Sequence, residues 1–242
     1  MCGTCGCAPE IEHGHGHGRT VALEVDVLAK NDGLAAANRA EFARRGIVVL
    51  NLMSSPGSGK TTLLERTVRS LGAELPVGVL EGDQETALDA DRIAAAGARV
   101  VQINTGAGCH LDAGMVARAL PVLAPADGSV VFVENVGNLV CPALFDLGER
   151  ARVVIMSVTE GADKPLKYPH MFRTADFVLL NKVDLLPYVD FDVAACVAAA
   201  RRARPGVAVL EVSATRGDGL DAWYAWVREL IVREEPAAVR GR

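Results

Sequence analysis

The sequence predicts an α/β fold, with a mostly parallel sheet and helices on both of its faces. Seven apolar runs rich in valine and isoleucine alternate with segments of helical periodicity. The runs are continuously apolar, which is typical of strands that are buried on both faces. A glycine-rich loop also joins the first run directly to a helical segment, as expected of a strand that feeds a helix on the sheet.

The predicted elements follow one another in regular order after an N-terminal helix that should begin at Asn31 or Asp32 and end at Gly46. The predicted strands are Ile47–Met53, Pro76–Leu80, Arg99–Ile103, Ser129–Val133, Arg152–Val158, Phe177–Leu180 and Val207–Val212. The predicted helices are Asn31–Arg45, Thr61–Leu71, Asp89–Ala96, Leu111–Leu120, Asp192–Arg204 and Leu220–Arg233. Because ligands of parallel sheets bind at the carboxyl ends of the strands, five polar clusters that follow strands should converge on one edge.

The loop after the first strand has the sequence of a phosphate-binding loop. Residues 54–61 read Ser-Ser-Pro-Gly-Ser-Gly-Lys-Thr, with Ser54 where the strict pattern has its first glycine. Backbone N–H groups of such a loop surround phosphate oxygens, Lys60 reaches the terminal phosphates and Thr61 offers its hydroxyl to magnesium. The predicted nucleotide contacts here are Gly57, Ser58, Gly59, Lys60, Thr61 and Thr62.

A second motif, Asn181-Lys182-Val183-Asp184, predicts that the base is guanine. A carboxylate such as Asp184 accepts hydrogen bonds from the ring N–H and the exocyclic amine of guanine, a pair of donors that adenine lacks. Lys182 would cover the base, and Asn181 would tie the loop to neighbouring backbone. The alternative is a polar turn that caps the next helix. Ser213 and Ala214 fit the remaining loop at the base edge, so the nucleotide is expected to be GTP.

Two acidic residues near strand ends suggest magnesium binding and a nucleotide switch. Asp83 could hold magnesium or its water shell, or it could instead cap the next helix. Glu134 and Gly137 resemble an acidic-x-x-glycine switch, in which the glycine amide senses the γ-phosphate. We therefore predict Lys60, Thr61, Asp83 and Glu134 as the catalytic set. The sequence offers no obvious arginine finger or water-positioning glutamine, so slow intrinsic turnover, accelerated by dimerisation or a partner, is expected.

The sequence predicts a flexible, Cys- and His-rich metal-binding tail at residues 1–30, in front of a P-loop GTPase domain at residues 31–242. Its potential thiolate ligands are Cys2, Cys5 and Cys7, separated by glycines that allow a short chain to surround one ion. If Met1 is removed, the freed amine of Cys2 is a fourth donor, and the resulting N,S set suits square-planar nickel. A zinc site or an incidental reactive tail are the alternatives. The alternating histidines form a less specific set, His13, His15 and His17.

A second potential metal site lies inside the domain. Cys109 and His110 follow one predicted strand and Cys141 follows the candidate switch, so strand-end convergence could bring them together. Three ligands fall short of a closed site, and a second copy across a two-fold axis could complete it. The alternative is two ordinary cysteines near a sheet edge. Cys196 is expected to be a packed core thiol, and His170 a structural or surface residue.

Composition narrows the class of protein further. The chain has 242 residues, a net charge of −5 and no long basic run, which argues against nucleic acid as a partner. No apolar stretch reaches membrane-spanning length, and the N-terminus does not resemble a signal peptide. Cysteines in a chain with a nucleotide-binding signature indicate metal thiolates more than disulfides, so a cytoplasmic location without membrane contact is expected.

Together these motifs resemble the hydrogenase nickel-incorporation GTPases of the HypB type, in the signal-recognition and MinD-like (SIMIBI) class of P-loop proteins. The resemblance runs from about Asn31 to the C-terminal helix and includes Asn51–Thr62, Glu81–Arg92, Asn104–Asp112, Glu134–Pro142 and Asn181–Asp184. It implies GTP hydrolysis coupled to nickel delivery into the large-subunit precursor of nickel–iron hydrogenase. It also implies a nucleotide-sensitive homodimer and a HypA-type nickel chaperone as partner. Cys109, His110 and Cys141 would match the family's interface metal site, where zinc is also possible.

Four other functions remain open from the sequence, one of them a chaperone for a cobalamin-dependent mutase. A sister GTPase for urease nickel insertion is expected to carry Cys-Pro-His, whereas this chain has Cys109-His110 and a separate Cys141-Pro142. A nickel-storage protein would use the tail and retain only a residual GTPase domain. An ATP-dependent kinase is disfavoured by the Asn181–Asp184 motif.

Overall fold

Seven strands form one parallel sheet in the computed structural model, which describes residues 17–83, 88–106 and 108–234. In chain order they are β1 (Val48–Ser54), β2 (Val77–Asp83), β3 (Arg99–Asn104), β4 (Val130–Glu134), β5 (Ala151–Ser157), β6 (Phe177–Asn181) and β7 (Ala208–Glu211). Across the sheet the order is β3-β2-β4-β1-β5-β6-β7, and every pairing is parallel. The prediction of an α/β fold on a parallel sheet is confirmed, since each strand overlaps a predicted one.

Helices connect the strands and cover both faces of the sheet. They are α1 (His17–Arg45), α2 (Lys60–Leu71), α3 (Leu88–Ala95), α4 (Ala113–Leu123), α5 (Lys164–Lys167), α6 (Pro169–Thr174), α7 (Val193–Ala203) and α8 (Leu220–Glu234). Two short 3₁₀ helices, Cys141–Leu144 and Val183–Tyr188, follow β4 and β6. The sequence did not predict α5, α6 or the 3₁₀ helices, because pieces of four to six residues are too short to show a helical period.

The N-terminal helix begins earlier than predicted. The sequence predicted an N-cap at Asn31 or Asp32, but α1 starts at His17 and passes through both positions without interruption. The Asn31 amide is used elsewhere: its Oδ1 accepts from the backbone N of Ala113 at 2.9 Å, and its Nδ2 donates to the carbonyl of Asp146 at 2.8 Å. Residues 17–30, assigned to the tail, are therefore helical, and residues 1–16 lie outside the described residues.

The predicted end of α1 at Gly46 is confirmed. Gly46 has a φ of +63°, and the N–H of Ile47 donates to the carbonyl of Phe42 at 2.9 Å, which is the bonding of a Schellman cap. The chain reverses direction there and enters β1, whose seven residues are all buried.

Apolar side chains fill both faces of the sheet. On one face α2, α3 and α8 pack over β1 residues such as Leu50 and Leu52, and on the other α1, α4, α6 and α7 pack over Val49 and Met53. At the first face Trp223 of α8 is fully buried and stacks on Trp226, with ring centroids 5.4 Å apart. The Trp223 indole N–H donates to the hydroxyl of Thr67 in α2 at 2.9 Å. Helix α8 is thereby anchored to α2, the helix that follows the phosphate-binding loop.

The carboxyl ends of the strands meet at one edge, as the sequence predicted. The strand register places Glu134 of β4 opposite Glu81 of β2 and Leu52 of β1, and it places Asp83 of β2 opposite Asn104 of β3. The polar ends of β2, β3 and β4 therefore lie side by side, next to the loop that leaves β1.

Candidate functional site

A cavity of about 610 Å³ opens at this edge, between the loop after β1 and the ends of β2 and β4. Its lining includes residues 56–62, Glu81 to Asp83, Glu134 to Gly137, Arg92 and Lys182. This volume lies within the usual range of small-molecule sites. The predicted phosphate-binding, magnesium and switch residues thus line a single cavity.

The phosphate-binding loop is closed against the sheet by Ser54 and Lys60. The Lys60 ammonium donates to the Ser54 hydroxyl at 2.8 Å, and that hydroxyl in turn donates to the carbonyl of Ser55 at 2.6 Å. Burial lowers the pKa of Lys60, and the nearby Glu134 carboxylate opposes that shift. Ser54, which replaces the usual first glycine, therefore gives Lys60 a partner inside the loop.

Gly59 is required by both backbone geometry and space. Its φ is +97°, and an added Cβ would lie 2.5 Å from the amide nitrogen of Asn181. That amide donates to the carbonyl of Ser58 at 2.9 Å, so the backbone of the phosphate-binding loop touches the second predicted motif directly.

Three acidic side chains lie where a magnesium ion would be held. The Thr61 hydroxyl donates to Glu134 Oε1 at 2.9 Å, and Glu134 Oε2 and Glu81 Oε2 are both buried without a hydrogen-bond partner among the described residues. Desolvation raises the pKa of Glu134 to about 7. Desolvation, together with the negative charge of Glu134, raises the pKa of Glu81 to about 8. Buried carboxylate oxygens with spare lone pairs suit a hard cation, so Glu134 and Glu81 fit magnesium. Thr61 and Asp83 line the same cavity and offer further oxygen ligands.

Two residues of this cavity were missed by the sequence analysis. Glu81 is only 3 % exposed, and the available signal was a charged residue at the end of an apolar strand. Arg92 of α3 lines the cavity, where its guanidinium donates to the Thr62 hydroxyl at 3.3 Å and pairs with Glu65 at 2.9 Å. An arginine therefore lies in the cavity beside the phosphate-binding loop, although the sequence had suggested no candidate arginine finger.

The loop after β6 packs against the phosphate-binding loop. Asn181 Oδ1 accepts from the backbone N of Ala214 at 3.0 Å, so its side chain joins three loops. Lys182 has a φ of +63°, and its ammonium donates to the carbonyl of Gly57 at 2.7 Å. Asp184 accepts from the Ser213 hydroxyl at 2.6 Å. These contacts bring the five residues that we predicted to read the base together where three loops meet. Their contacts with the base itself remain a prediction.

The structure also brings together the predicted metal ligands of the domain. One ligand atom from each of Cys109, His110 and Cys141 lies within 4.8 Å of the others, with Cys109 Sγ 3.7 Å from His110 Nδ1. This is the one group of three or more potential metal ligands found among the described residues. Cys109 and His110 precede α4, whose N-cap Asp112 accepts from Met115 N at 2.7 Å.

The imidazole of the cluster is held by a ring stack. The centroids of His110 and Phe145 are 3.9 Å apart with an interplanar angle of 22°. Burial lowers the pKa of His110, with the Asp112 charge opposing, so the ring favours the neutral form that binds metals. Two thiols and one imidazole within reach of one ion suit nickel or zinc and leave a fourth position open.

Other predicted metal residues have different positions. Cys2, Cys5, Cys7, His13 and His15 lie outside the described residues, and His17 is the first residue of α1. Cys196 is a core thiol, as predicted: it is 2 % exposed, its Sγ lies 3.6 Å from Met156 Sδ, and burial raises its pKa to about 11. His170 is exposed on α6. Within the described ranges, no helix combines the length and apolarity needed to span a bilayer.

Comparison with known proteins agrees with the fold and the motifs. Residues 48–211 match the family model "CobW/HypB/UreG, nucleotide-binding domain". A hydrogenase maturation factor HypB from Azotobacter chroococcum mcd 1 is 56 % identical over 98 % of this chain and 77 % of its own length. The crystal structure of HypB from Archaeoglobus fulgidus superposes with a TM-score of 0.79 and 40 % identity, over 84 % of this chain and 99 % of that one.

A second solved structure is that of HypB from Helicobacter pylori in complex with nickel. It has a TM-score of 0.79 and 36 % identity, over 86 % of this chain and 98 % of that one. With the phosphate-binding loop, the loop after β6 and the cysteine–histidine cluster in place, the chain belongs to the HypB hydrogenase maturation factors of the CobW/HypB/UreG family of P-loop GTPases.

Proposed function

We propose that this protein is a GTP-hydrolysing nickel metallochaperone that inserts nickel into the large-subunit precursor of nickel–iron hydrogenase, with nickel affinity set by the bound nucleotide. The observation that carries the proposal is the position of two sites on one sheet edge. The segment from Glu134 to Cys141 begins in the phosphate-side cavity and ends in the metal cluster. A change at the γ-phosphate therefore has a short covalent path to a metal ligand.

Hydrolysis needs an in-line water to attack the γ-phosphorus, with cleavage of the bond to the bridging oxygen and release of phosphate and GDP. Lys60 and backbone N–H groups of residues 57–62 neutralise the phosphates, and the Gly137 amide contacts the γ-phosphate. Thr61, Glu134 and Asp83 would hold a magnesium ion, which would neutralise further phosphate charge. Intrinsic turnover is slow, and dimerisation or a partner accelerates it.

The base is guanine in this proposal. Asp184 accepts from guanine, Lys182 covers its face, Asn181 orders the loop, and Ser213 and Ala214 contribute at the base edge. The existing contacts of Asn181 with Ser58 and Ala214 support this role, because they connect base-reading and phosphate-binding loops.

Nickel is the cargo, and Cys109, His110 and Cys141 are its ligands in the domain. A second copy of the chain supplies the missing ligation across a two-fold axis, consistent with Val140 and Leu144, two large hydrophobic residues that are 53 % and 46 % exposed beside Cys141. Cys2, Cys5 and Cys7 form a separate, tighter nickel site. A HypA-type chaperone and the hydrogenase precursor are the proposed partners, in the cytoplasm.

Nickel titration in the presence of GDP or a non-hydrolysable GTP analogue tests this function. We would compare the unmodified chain, a Cys2/Cys5/Cys7→Ser variant and a Cys109→Ser variant. The expected result is a tight site lost in the first variant and a weaker, nucleotide-sensitive site lost in the second. Equal nickel affinity with both nucleotides would refute the coupling. Hydrogenase maturation that persists in a Lys60→Ala variant would refute the requirement for GTP.

A further inference from the structure

A buried amide lies between the nucleotide cavity and the metal cluster. Asn135 is 1 % exposed, and its Oδ1 accepts two backbone hydrogen bonds, from Val136 N at 3.0 Å and from Leu111 N at 3.1 Å. Val136 immediately precedes Gly137 of the candidate switch, whereas Leu111 immediately follows the cluster residue His110. One side-chain oxygen therefore holds the backbone of both sites.

The other end of the same amide leads to the third cluster residue by a chain of hydrogen bonds. Asn135 Nδ2 donates to Asn51 Oδ1 at 3.2 Å, and Asn51 Nδ2 donates to Glu149 Oε1 at 3.3 Å. Arg152 Nε donates to the same carboxylate oxygen at 2.6 Å, and its Nη1 donates to the carbonyl of Ala143 at 3.3 Å. Ala143 belongs to the 3₁₀ helix whose first residue is the cluster's second cysteine.

The switch backbone has little freedom to move independently of this amide. An added Cβ on Gly137 would approach Pro56 of the phosphate-binding loop at 3.0–3.1 Å, so the two backbones already lie in close contact. In the proposed function the Gly137 amide contacts the γ-phosphate, so gain or loss of that phosphate moves the backbone at residues 136–137. A side-chain carbonyl offers two lone pairs, and Asn135 Oδ1 uses both to accept from Val136 N and Leu111 N. Displacement of Val136 therefore either moves the Asn135 amide or breaks the hydrogen bond between Val136 N and Asn135 Oδ1. Breaking a hydrogen bond inside a buried network is costly, which favours concerted movement.

We propose that Asn135 is the positioning residue through which the nucleotide sets the spacing of Cys109, His110 and Cys141. The inference rests on the proposed function, since it assigns a physical route to its nucleotide–metal coupling. Movement of the amide shifts the backbone after His110 directly, and it shifts the 3₁₀ helix that starts at Cys141 through the Asn51, Glu149 and Arg152 side chains. Asn135 does not contact the metal and acts only through these neighbours.

The test compares Asn135→Ala with the matched control Asn38→Ala. Asn38 is also a buried amide, at 6 % exposure, and it donates to the carbonyls of Ala113 at 2.9 Å and Leu147 at 3.0 Å, close to the same cluster. Its hydrogen bonds are to α4 and to the loop before β5, not to the switch backbone. Both variants lose buried hydrogen bonds, so a general loss of stability affects both.

Nickel affinity is measured in the full chain with the three tail cysteines replaced by serine, with GDP and with a non-hydrolysable GTP analogue. For coupled sites the ratio of the two affinities is about 5- to 150-fold. In the tail-cysteine variant without further changes, and in Asn38→Ala, we expect this ratio to be kept. In Asn135→Ala we expect the two affinities to differ by no more than about twofold. The absorption of the nickel–thiolate bond should likewise become insensitive to the nucleotide in Asn135→Ala alone.

The outcomes separate this inference from the proposed function. A ratio of one in the unmodified domain overturns the coupling and this inference with it. A normal ratio there that survives Asn135→Ala overturns only the role of Asn135, as does an equal loss in Asn38→Ala. Should Asn135→Ala fail to fold, Arg152→Lys tests the branch to Cys141, because lysine keeps a cation beside Glu149 but withdraws the donor to Ala143. A lowered ratio supports the proposal, and an unchanged ratio overturns the control of Cys141 by Asn135, which the proposal requires.

Discussion

Replacement of Glu81 by glutamine should stabilise the protein at alkaline pH and weaken its response to magnesium. The Glu81 side chain is buried, and Glu81 of β2 lies directly opposite Glu134 of the neighbouring strand β4. One Glu81 carboxylate oxygen has no hydrogen-bond partner among the described residues. Desolvation, followed by the charges of Glu134 and Asp83, raises its pKa from 4.5 to about 8. Glutamine has nearly the same shape but cannot ionise, so it removes the cost of a buried charge.

The sign follows from proton binding. Between pH 4.5 and about 8 the folded protein binds more protons at Glu81 than the unfolded chain does, so the free energy of unfolding falls as pH rises through this window. A pKa raised from 4.5 to about 8 disfavours the folded carboxylate by about 5 kcal/mol in full. Because the cavity is open to water, we expect about 2 kcal/mol of this in practice. Glu81→Gln should match the unmodified protein near pH 4.5 and exceed its stability by about 2 kcal/mol at pH 8.5.

Urea unfolding of the nucleotide-free protein at several pH values gives these free energies. Glu211→Gln is a suitable control, because Glu211 is exposed at the end of β7 and its replacement relieves no burial. In a second measurement, magnesium with GDP should raise the melting temperature of the unmodified protein more than that of Glu81→Gln at pH 8.5, since a cation favours the ionised carboxylate. The reasoning would be refuted if the unmodified protein and Glu81→Gln had parallel curves of stability against pH. It would also be refuted if Glu81→Gln were the less stable of these two at pH 8.5.

Other predictions concern the nucleotide cavity. Gly59→Ala should lower the free energy of unfolding by about 1–3 kcal/mol, because it places a Cβ against Asn181 at a positive φ; denaturant titration measures this, and an unchanged midpoint would contradict it. Arg92→Ala should weaken binding of a fluorescent GDP analogue about tenfold, because it removes a cation beside Thr62 of the phosphate-binding loop. Equal affinity in the variant would exclude a contact between Arg92 and the nucleotide phosphates. Asp184→Asn should weaken GDP binding about 10- to 100-fold in the same assay, and retained affinity for guanine over adenine nucleotides would reject its role in base reading.

Much of the fold followed from local pattern because buried parallel strands leave continuous apolar runs. All seven runs overlap strands, and the end of α1 was readable because Gly46 is a residue type that tolerates positive φ. The start of α1 was not readable. Asn31 has the side chain of an N-cap, and only the folded chain reveals that its amide bonds to Ala113 and Asp146 instead.

At the candidate site, the types of the functional residues could be predicted from the sequence, whereas most of their contacts could be identified only from the fold. Convergence of Cys109, His110 and Cys141 was predictable, because strand ends in a parallel sheet meet at one edge. The significance of Glu81 and Asn135 was not predictable, since it depends on burial and on partners far away in the chain. Asn135, for instance, bonds to a residue 84 positions away.

The contact between α2 and α8 gives the protein an optical reporter of its own. Both tryptophans of the chain, Trp223 and Trp226, belong to one ring stack, and the buried indole of Trp223 is hydrogen-bonded to Thr67 of the helix that begins at Lys60. Any shift of that helix when nucleotide binds changes the polarity and stacking of the indole. Intrinsic fluorescence in a stopped-flow instrument can therefore time nucleotide binding and release in the unlabelled protein.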